Sequence, residues 1–178
     1  MPAPKKYPVV LVADRTLMAP YQILFEGMLA ASQTTSTPRA LLNLLVLPRA
    51  RSSNGRALRA PLGLRRIEAA CLAGGLSPDD VAIVGEDQLE GAIGPETRVV
   101  GISSGEPAGR GMNSSTMTAV TGGRILPEDC FLRLVRRVRS LVEKSAPRAK
   151  VVLGGPGAWQ ARQDPAGQTE APLRRALM

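Results

Sequence analysis

The sequence predicts an α/β protein in which helices cover both faces of an open parallel sheet. Two observations support this fold class. Four short β-branched runs alternate with segments of helical periodicity, and the composition is 44% hydrophobic but only 3% aromatic. A core of Leu, Val, Ile and Ala is typical of packed α/β layers. The length of 178 residues predicts a single domain, with its core at about 8–160 and a polar tail at 161–178.

The first half of the chain contains one predicted strand and several helical segments. The apolar run PVVLVADR, residues 8–15, suits a buried strand that ends in a polar edge. Helical spacing follows in YQILFEGMLAAS and in RALLNLLVL, with a polar loop between them. The Arg-, Ser- and Gly-rich stretch at 48–61 predicts an exposed basic loop with a turn at Asn54 and Gly55. The segment LGLRRIEAACLAGG then predicts a helix that ends at its two glycines.

The second half continues the alternation. Strands are predicted at Val81–Val84 and Val99–Ile102, joined by a short helix in DQLEGAIG. A loop rich in Gly, Ser and Thr follows, with a short helix beginning near Ser114. Residues 128–144 carry an apolar stripe on one side and arginines on the other, which predicts an amphipathic helix. AKVVLGGPGAW supplies the fourth strand.

Three of these strands lead into loops of unusual composition, after Val12, Ile102 and Leu153. Parallel strands end at the same edge of a sheet, and ligands of open α/β sheets bind beyond that edge. The third strand leads into GISSGEPAG and the fourth into GGPG. Small hydroxyl side chains can hydrogen-bond a ligand, and glycines let a ligand approach the backbone. The two exits predict a smooth-walled slot; alternatively, the glycines only turn the chain and the serines cap the next helix.

Composition excludes or disfavours several classes of function. The chain has no histidine, which excludes Ser-His-Asp and Cys-His nucleophilic catalysis. Cys71 and Cys130 are far apart, so we expect neither a disulfide framework nor a zinc cluster, and a reducing, cytoplasmic location. No apolar run approaches the roughly 18 to 20 residues of a membrane span, so we expect no membrane partner. The glycines match neither a P-loop nor, after the first strand, the G-x-G-x-x-G fingerprint.

The strongly basic character of the chain raises the question of nucleic acid. The net charge is +8, and basic surfaces gain affinity for phosphates by releasing counterions. The arginines are scattered over the loop at 48–61, the helix at 128–144 and the C-terminal end, and few aromatic side chains are present to stack on bases. The sequence therefore favours solvated faces and contacts with anionic small molecules or partners over nucleic acid.

Four segments carry a resemblance to a known family. They are VVLVADRTLMAPY, RAPLGLRRIEAACLAGG, VVGISSGEPAGRGMNSSTM and VVLGGPGAWQ, and they span roughly Val9 to Gln160. Together they resemble the N-terminal cobalamin-binding region of B12-binding-domain radical S-adenosylmethionine (SAM) proteins. The serine segment and the Gly-Gly-Pro-Gly segment are the most specific parts. The resemblance implies a Rossmann-like, flavodoxin-like fold for a single B12-binding-like domain, with cobalamin as its cofactor.

The resemblance also implies which residues bind cobalamin. In the family, the nucleotide tail of cobalamin threads into a slot beside the sheet. By resemblance, serines after the third strand form one wall of the slot, glycines after the fourth strand form the other, and residues after the first strand face the corrin. The implied cofactor-binding residues are Asp14, Arg15, Thr16, Leu17, Ser103, Ser104, Gly105, Gly154, Gly155, Pro156 and Gly157. We expect no catalytic residue and no metal ligand in this chain.

Three departures from the family pattern shape the prediction. Without a histidine, the cobalt would receive no protein imidazole. Cys71 and Cys130 cannot form the Cys-x-x-x-Cys-x-x-Cys motif of a 4Fe-4S cluster, so the cluster and S-adenosylmethionine would belong to a missing or partner domain. The sequence also ends before the fifth strand of its relatives, so we expect a sheet without its last strand.

We therefore predict a cobalamin-binding module of a radical SAM-type system, without independent catalysis in this chain. Its expected partner, besides cobalamin, is a radical SAM catalytic domain or subunit. Two alternatives stay open: a basic α/β protein that interacts with nucleotides or nucleic acids through its arginine-rich loop and helix, and a truncated fragment with no ligand. Salt-sensitive binding to RNA or DNA would mark the first alternative.

Overall fold

A computed structural model describes residues 5–162 of the chain. Helices and strands alternate through this region, as the hydrophobic periodicity predicts. In chain order the elements are β1 (Val9–Ala13), α1 (Arg15–Met18), α2 (Leu24–Ser32), α3 (Arg39–Leu45), β2 (Ser52–Ser53), β3 (Arg56–Ala57), α4 (Leu62–Ala73), β4 (Val81–Ile83), α5 (Leu89–Ala92), β5 (Val99–Ser103), α6 (Met112–Thr121), α7 (Leu126–Ser145), β6 (Lys150–Gly154) and α8 (Ala158–Arg162).

The central sheet has four parallel strands in the order β4-β1-β5-β6. Numbered by their appearance in the sheet, these strands follow the order 2-1-3-4, which is the beginning of the flavodoxin-like order 2-1-3-4-5. The chain runs outward from β1 to β4, then returns past β1 to β5 and β6. The winding therefore reverses between β1 and β5. The predicted Rossmann-like α/β fold is confirmed.

Helices pack on both faces of the sheet because the strand residues alternate between two clusters. On one face, Val10 and Ile102 lie in a buried cluster with Phe131 and Val138 of α7. On the other face, Leu11, Ala13 and Ile83 lie in a second cluster with Leu64 of α4. The prediction of helices on both faces is confirmed.

A third cluster joins α2 and α3 to the beginning of α7. Ala30 of α2 and Leu42 of α3 are buried against Leu126 and Cys130 of α7. These helices therefore lie beside the sheet edge, and most of the other apolar side chains of α2 and α3 are exposed.

The basic stretch at 48–61 contains a small hairpin that the sequence reasoning describes only as an exposed loop with a turn. The strands β2 and β3 pair antiparallel. Asn54 and Gly55, with φ angles of 51° and 77°, connect them. Positive φ at both positions is the geometry that makes Asn-Gly a preferred two-residue hairpin turn.

The predicted polar tail at 161–178 falls outside the described residues except for its first two positions. Ala161, one of these, packs against the cluster on the α7 face. None of the helices in residues 5–162 has both the length and the apolar character needed to cross a membrane.

Candidate functional site

The loop after β1 begins with a capped helical turn. Asp14 precedes α1, and its Oδ1 accepts hydrogen bonds from the backbone nitrogen of Thr16 at 3.0 Å and of Leu17 at 3.3 Å. The Thr16 hydroxyl also donates to Oδ1. Contacts of this kind satisfy amide donors that no helical carbonyl can reach. Asp14 therefore fixes the direction of the chain as it leaves the sheet.

Asp14 is also an unusual carboxyl group because it is buried. The residue is 1% exposed, and its Oδ2 has no hydrogen-bond partner among the described residues. Burial raises the pKa of Asp14 from 3.8 to about 6, although its hydrogen bonds with Thr16 and Leu17 oppose this rise. The Ser104 hydroxyl lies near enough to oppose it too, but its Oγ is buried and completes no hydrogen bond in residues 5–162. Asp14 Oδ2 and Ser104 Oγ thus lie close to each other, buried at adjacent strand exits.

The exits of β5 and β6 contact each other directly. The Ser104 nitrogen donates to the Gly154 carbonyl at 3.2 Å, and the Gly157 nitrogen donates to the Ser104 carbonyl at 3.0 Å. A methyl group on Gly155 would lie 2.6 Å from Ser103 Oγ, and one on Gly157 would lie 2.1 Å from a backbone oxygen of the β5 exit. Glycine at these two positions allows the turn to pack on the serine exit. In this structure the two segments are in contact rather than separated by a slot.

Gly154, in contrast, borders open space. It ends β6 and is paired in register with Ser103. A methyl group on Gly154 would have no described atom within 4 Å. Val152 lies two residues earlier, and so on the same face of the strand, and it is 52% exposed. The described residues therefore leave this face of β6 uncovered beside the serine exit.

A cleft of about 450 Å³ lies between the exits of β1 and β5. Thr16 and Leu17 line it on the β1 side, and Gly105 and Glu106 line it on the β5 side; the other lining residues are Tyr21, Gly27, Ala30, Ala31, Asn113 and Pro127. The winding of the sheet reverses between these two strands, and doubly wound folds bind ligands at this switch point. We call this the switch-point cleft.

Arg15 points away from the switch-point cleft. Its guanidinium donates to Asn43 Oδ1 at 3.2 Å and to the Leu47 carbonyl at 2.8 Å. These contacts connect the β1 exit to α3 and to the residues that follow it. In this structure the side chain of Arg15 therefore holds α3 against the β1 exit.

Apart from Arg15, the sequence-predicted residues fall into three groups in the structure. Those that line the switch-point cleft are Thr16, Leu17 and Gly105. Those that are buried beneath the edge are Asp14, Ser103 and Ser104. Those of the β6 exit are Gly154, Gly155, Pro156 and Gly157, of which Gly155 and Pro156 are exposed. All three strand exits meet at one edge, but a cleft separates β1 from β5 whereas a packed turn joins β5 to β6.

Three residues that the sequence reasoning did not select contribute to this edge. The Tyr21 hydroxyl is buried without a partner among the described residues, and its ring lines the switch-point cleft. Glu106 accepts a hydrogen bond from the Ser114 hydroxyl. Gln160 Oε1 accepts from two backbone nitrogens of the loop after β5, at 3.3 and 3.4 Å. Of the three, only Glu106 could have been selected from the sequence, because it is the single carboxylate within a stretch of glycines and serines.

Neither a metal cluster nor a known relative identifies the site. No group of three or more His, Cys, Asp or Glu side chains within residues 5–162 is arranged to hold a metal ion. Comparisons with protein-family models, with curated proteins and with solved structures find no match for this chain. The geometry of the sheet edge and the residues that line it are therefore the basis for a functional proposal.

Proposed function

We propose that this chain binds cobalamin at the carboxyl edge of its sheet and presents it to a separate radical SAM catalytic domain. One observation supports the proposal most: the switch-point cleft lies between the exits of β1 and β5, and three of the residues that the resemblance implies, Thr16, Leu17 and Gly105, line it together. Doubly wound folds bind ligands at this position of the sheet. The sequence resemblance selects cobalamin among possible ligands.

The lining of the switch-point cleft suits one face of a large macrocycle. Gly27, Ala30 and Ala31 contribute little bulk, and Leu17 and Pro127 contribute apolar surface. Ligand sites are commonly apolar with a few polar groups that fix orientation. Here Thr16 and Asn113 are polar groups at the cleft, and Asp14 holds Thr16 in place. We assign the corrin ring to this side of the edge.

The uncovered face beside Gly154 suits the nucleotide tail. Gly154 leaves room where any other residue would place a side chain, and the neighbouring Ser103 and Ser104 carry hydroxyls. The turn that begins at Gly155 is held to the β5 exit by hydrogen bonds. Ser103, Ser104 and Gly154 would therefore hold the tail, with Val152 as apolar surface. When bound, cobalamin would supply a cobalt centre that can carry a methyl group or assist a radical step.

Hydroxocobalamin uptake tests this proposal. We expect the purified chain, mixed with hydroxocobalamin at micromolar concentrations, to elute from gel filtration with a visible corrin spectrum. The same run with an unrelated protein of similar size sets the background of free cofactor. A colourless protein peak would contradict the proposal.

Ser104→Ala tests the location of the site. The substitution removes a buried hydroxyl that lies near the Asp14 carboxyl group and favours its charged form, so we expect the free energy of unfolding to change by about 1 kcal/mol or less. The affinity for hydroxocobalamin should fall by about tenfold, which is the effect of losing one good hydrogen bond. Ser140→Ala, at an exposed position of α7, is the matched control and should change neither quantity. Equal affinities of the two variants would place the cofactor elsewhere.

The nucleic-acid alternative receives little support from the arginine-rich helix. Arg137 of α7 lies 3.8 Å from Glu90, and Arg139 lies 3.5 Å from Glu143. Carboxylates thus offset part of the positive charge of this helix face. An exposed face of alternating charges is typical of a solvated helix.

A further inference from the structure

A second, larger cleft shares Tyr21 with the switch-point cleft. Its volume is about 800 Å³, and it is lined by residues of α1, α2, α3 and the basic hairpin region. Tyr21 lines both clefts. The resemblance to cobalamin-binding domains assigns nothing to this larger cleft, which we call the basic cleft.

The basic cleft carries positive charge. Arg49, Arg51 and Arg59 line it, and all three are exposed. Arg49 lies 3.9 Å from Asp87, whereas Arg51 and Arg59 have no ion-pair partner within residues 5–162. Glu26 also lines the cleft, where its carboxylate accepts a hydrogen bond from the Gln22 nitrogen at 2.8 Å. The lining therefore keeps an excess of guanidinium groups, which favour carboxylates and phosphates.

The same cleft carries apolar surface that the fold leaves unpartnered. Leu44 and Leu45 of α3 are 79% and 64% exposed, and Leu58, beside the hairpin, is 57% exposed. All three line the cleft. Single exposed leucines are ordinary, but a group of them around a concave surface indicates a contact site.

Tyr21 lines this cleft, and its hydroxyl is a buried polar atom near Asp14 and Cys130. Its hydroxyl is buried and has no hydrogen-bond partner among the described residues. Burial and the nearby Asp14 carboxylate raise the pKa of Tyr21, so the phenol stays protonated and can donate.

We propose that the basic cleft binds a small anionic ligand with an apolar body. The phosphate or carboxylate of the ligand contacts Arg49, Arg51 and Arg59, and its apolar part lies against Leu44, Leu45 and Leu58. Tyr21 donates to the ligand at the wall shared with the switch-point cleft. The concave shape and the match of both charge and apolar surface favour a small molecule over a flat macromolecular surface.

The probe for this site is 1-naphthyl phosphate, which combines one anionic group with an apolar body. We expect it to shift the backbone amide resonances of Leu44, Arg51 and Leu58 in a titration followed by NMR, without cobalamin present. 1-Naphthol, with the same body and no phosphate, should bind at least about tenfold more weakly, because charge-assisted hydrogen bonds contribute most of the affinity. Equal affinities of the two probes would overturn the proposal. So would sedimentation of the protein with phosphatidylglycerol vesicles in the absence of any shift with 1-naphthyl phosphate.

Two sets of variants locate the binding groups. Arg51→Ala combined with Arg59→Ala should raise the Kd for 1-naphthyl phosphate by about tenfold or more. Arg133→Ala combined with Arg148→Ala removes the same charge at exposed positions outside the cleft, and it should leave the Kd unchanged. Tyr21→Phe should weaken binding while the fold is retained. Equal effects of the two double variants would show that only the net charge of the protein matters, and would overturn the proposal of a binding site in the basic cleft.

Uptake of hydroxocobalamin is measured separately, so the failure of one proposal is distinguishable from the failure of the other.

Discussion

Gly157→Ala is expected to destabilise the protein by about 3 kcal/mol, near the upper end of what single substitutions cost. The added methyl group would lie 2.1 Å from the Gly105 oxygen and 2.5 Å from the Gly105 carbonyl carbon and from Pro107 Cδ. Two of these three atoms belong to the backbone, so the turn must move away from the β5 exit. That movement also breaks the hydrogen bond from the Gly157 nitrogen to the Ser104 carbonyl.

Two neighbouring variants make this prediction specific. Gly155→Ala should also destabilise by about 2 kcal/mol, because Gly155 has a φ of 91° and its methyl group would meet Ser103 Oγ and the Ser104 backbone. Gly154→Ala should change stability by about 0.5 kcal/mol or less, since nothing lies within 4 Å of the added atom. Urea unfolding of the three variants provides the comparison. Similar midpoints for Gly154→Ala and Gly157→Ala would show that the β6 turn is not packed on the β5 exit.

Asp14→Asn is expected to stabilise the protein at neutral pH and to leave it unchanged in acid. The folded protein protonates Asp14 with a pKa of about 6, whereas the unfolded chain does so near 3.8. The folded state therefore binds more protons between these values, and the wild-type protein loses stability as the pH rises through this window. A shift of this size corresponds to about 3 kcal/mol above pH 6. Asparagine caps a helix about as well as aspartate, so the substitution removes the charge and keeps the contacts to α1.

The measurement is urea unfolding of both proteins between about pH 3.5 and pH 7.5, a range that begins just below the lower pKa and ends well above the upper one. The stability difference should be near zero below the lower pKa, rise across the window and level off above the upper one. Asp80→Asn serves as the control, because hydrogen bonds from Ser77 lower the pKa of Asp80 rather than raise it, so its stability difference should change with pH in the opposite direction. A constant difference between wild type and Asp14→Asn at all pH values would contradict the burial of this carboxyl group.

Local sequence patterns predict the elements of this fold well. The predicted strands at Val81–Val84 and Val99–Ile102 match β4 and β5 closely, because β-branched runs bounded by polar turns have few alternatives. The amphipathic stripe at 128–144 lies within α7 for the same reason. The order of the strands in the sheet is not predictable in this way. That β4 pairs with β1 rather than with β6 depends on contacts between distant segments, which periodicity does not encode.

The site was less predictable than the fold. The strand exits meet at one edge as expected, since that follows from parallel strands alone. The direct contact between the β5 and β6 exits depends on backbone atoms and on a positive φ at Gly155, and glycine permits many conformations. The helical spacing in YQILFEGMLAAS predicts a helix, which is α2, but it does not predict that Ile23, Leu24 and Met28 are each more than half exposed. Tyr21 was missed because a lone tyrosine in a loop carries no pattern.

The most direct test of the central claim is the electron paramagnetic resonance spectrum of cob(II)alamin, recorded with increasing amounts of the purified chain. The chain has no histidine, and we propose that the nucleotide tail lies against Ser103, Ser104 and Gly154. Cobalamin held in this way would receive no nitrogen ligand from this chain or from its own displaced base. We predict that the nitrogen splitting of free cob(II)alamin disappears at one equivalent of protein. A spectrum that keeps this splitting, or that does not change when protein is added, would contradict cobalamin binding at this edge.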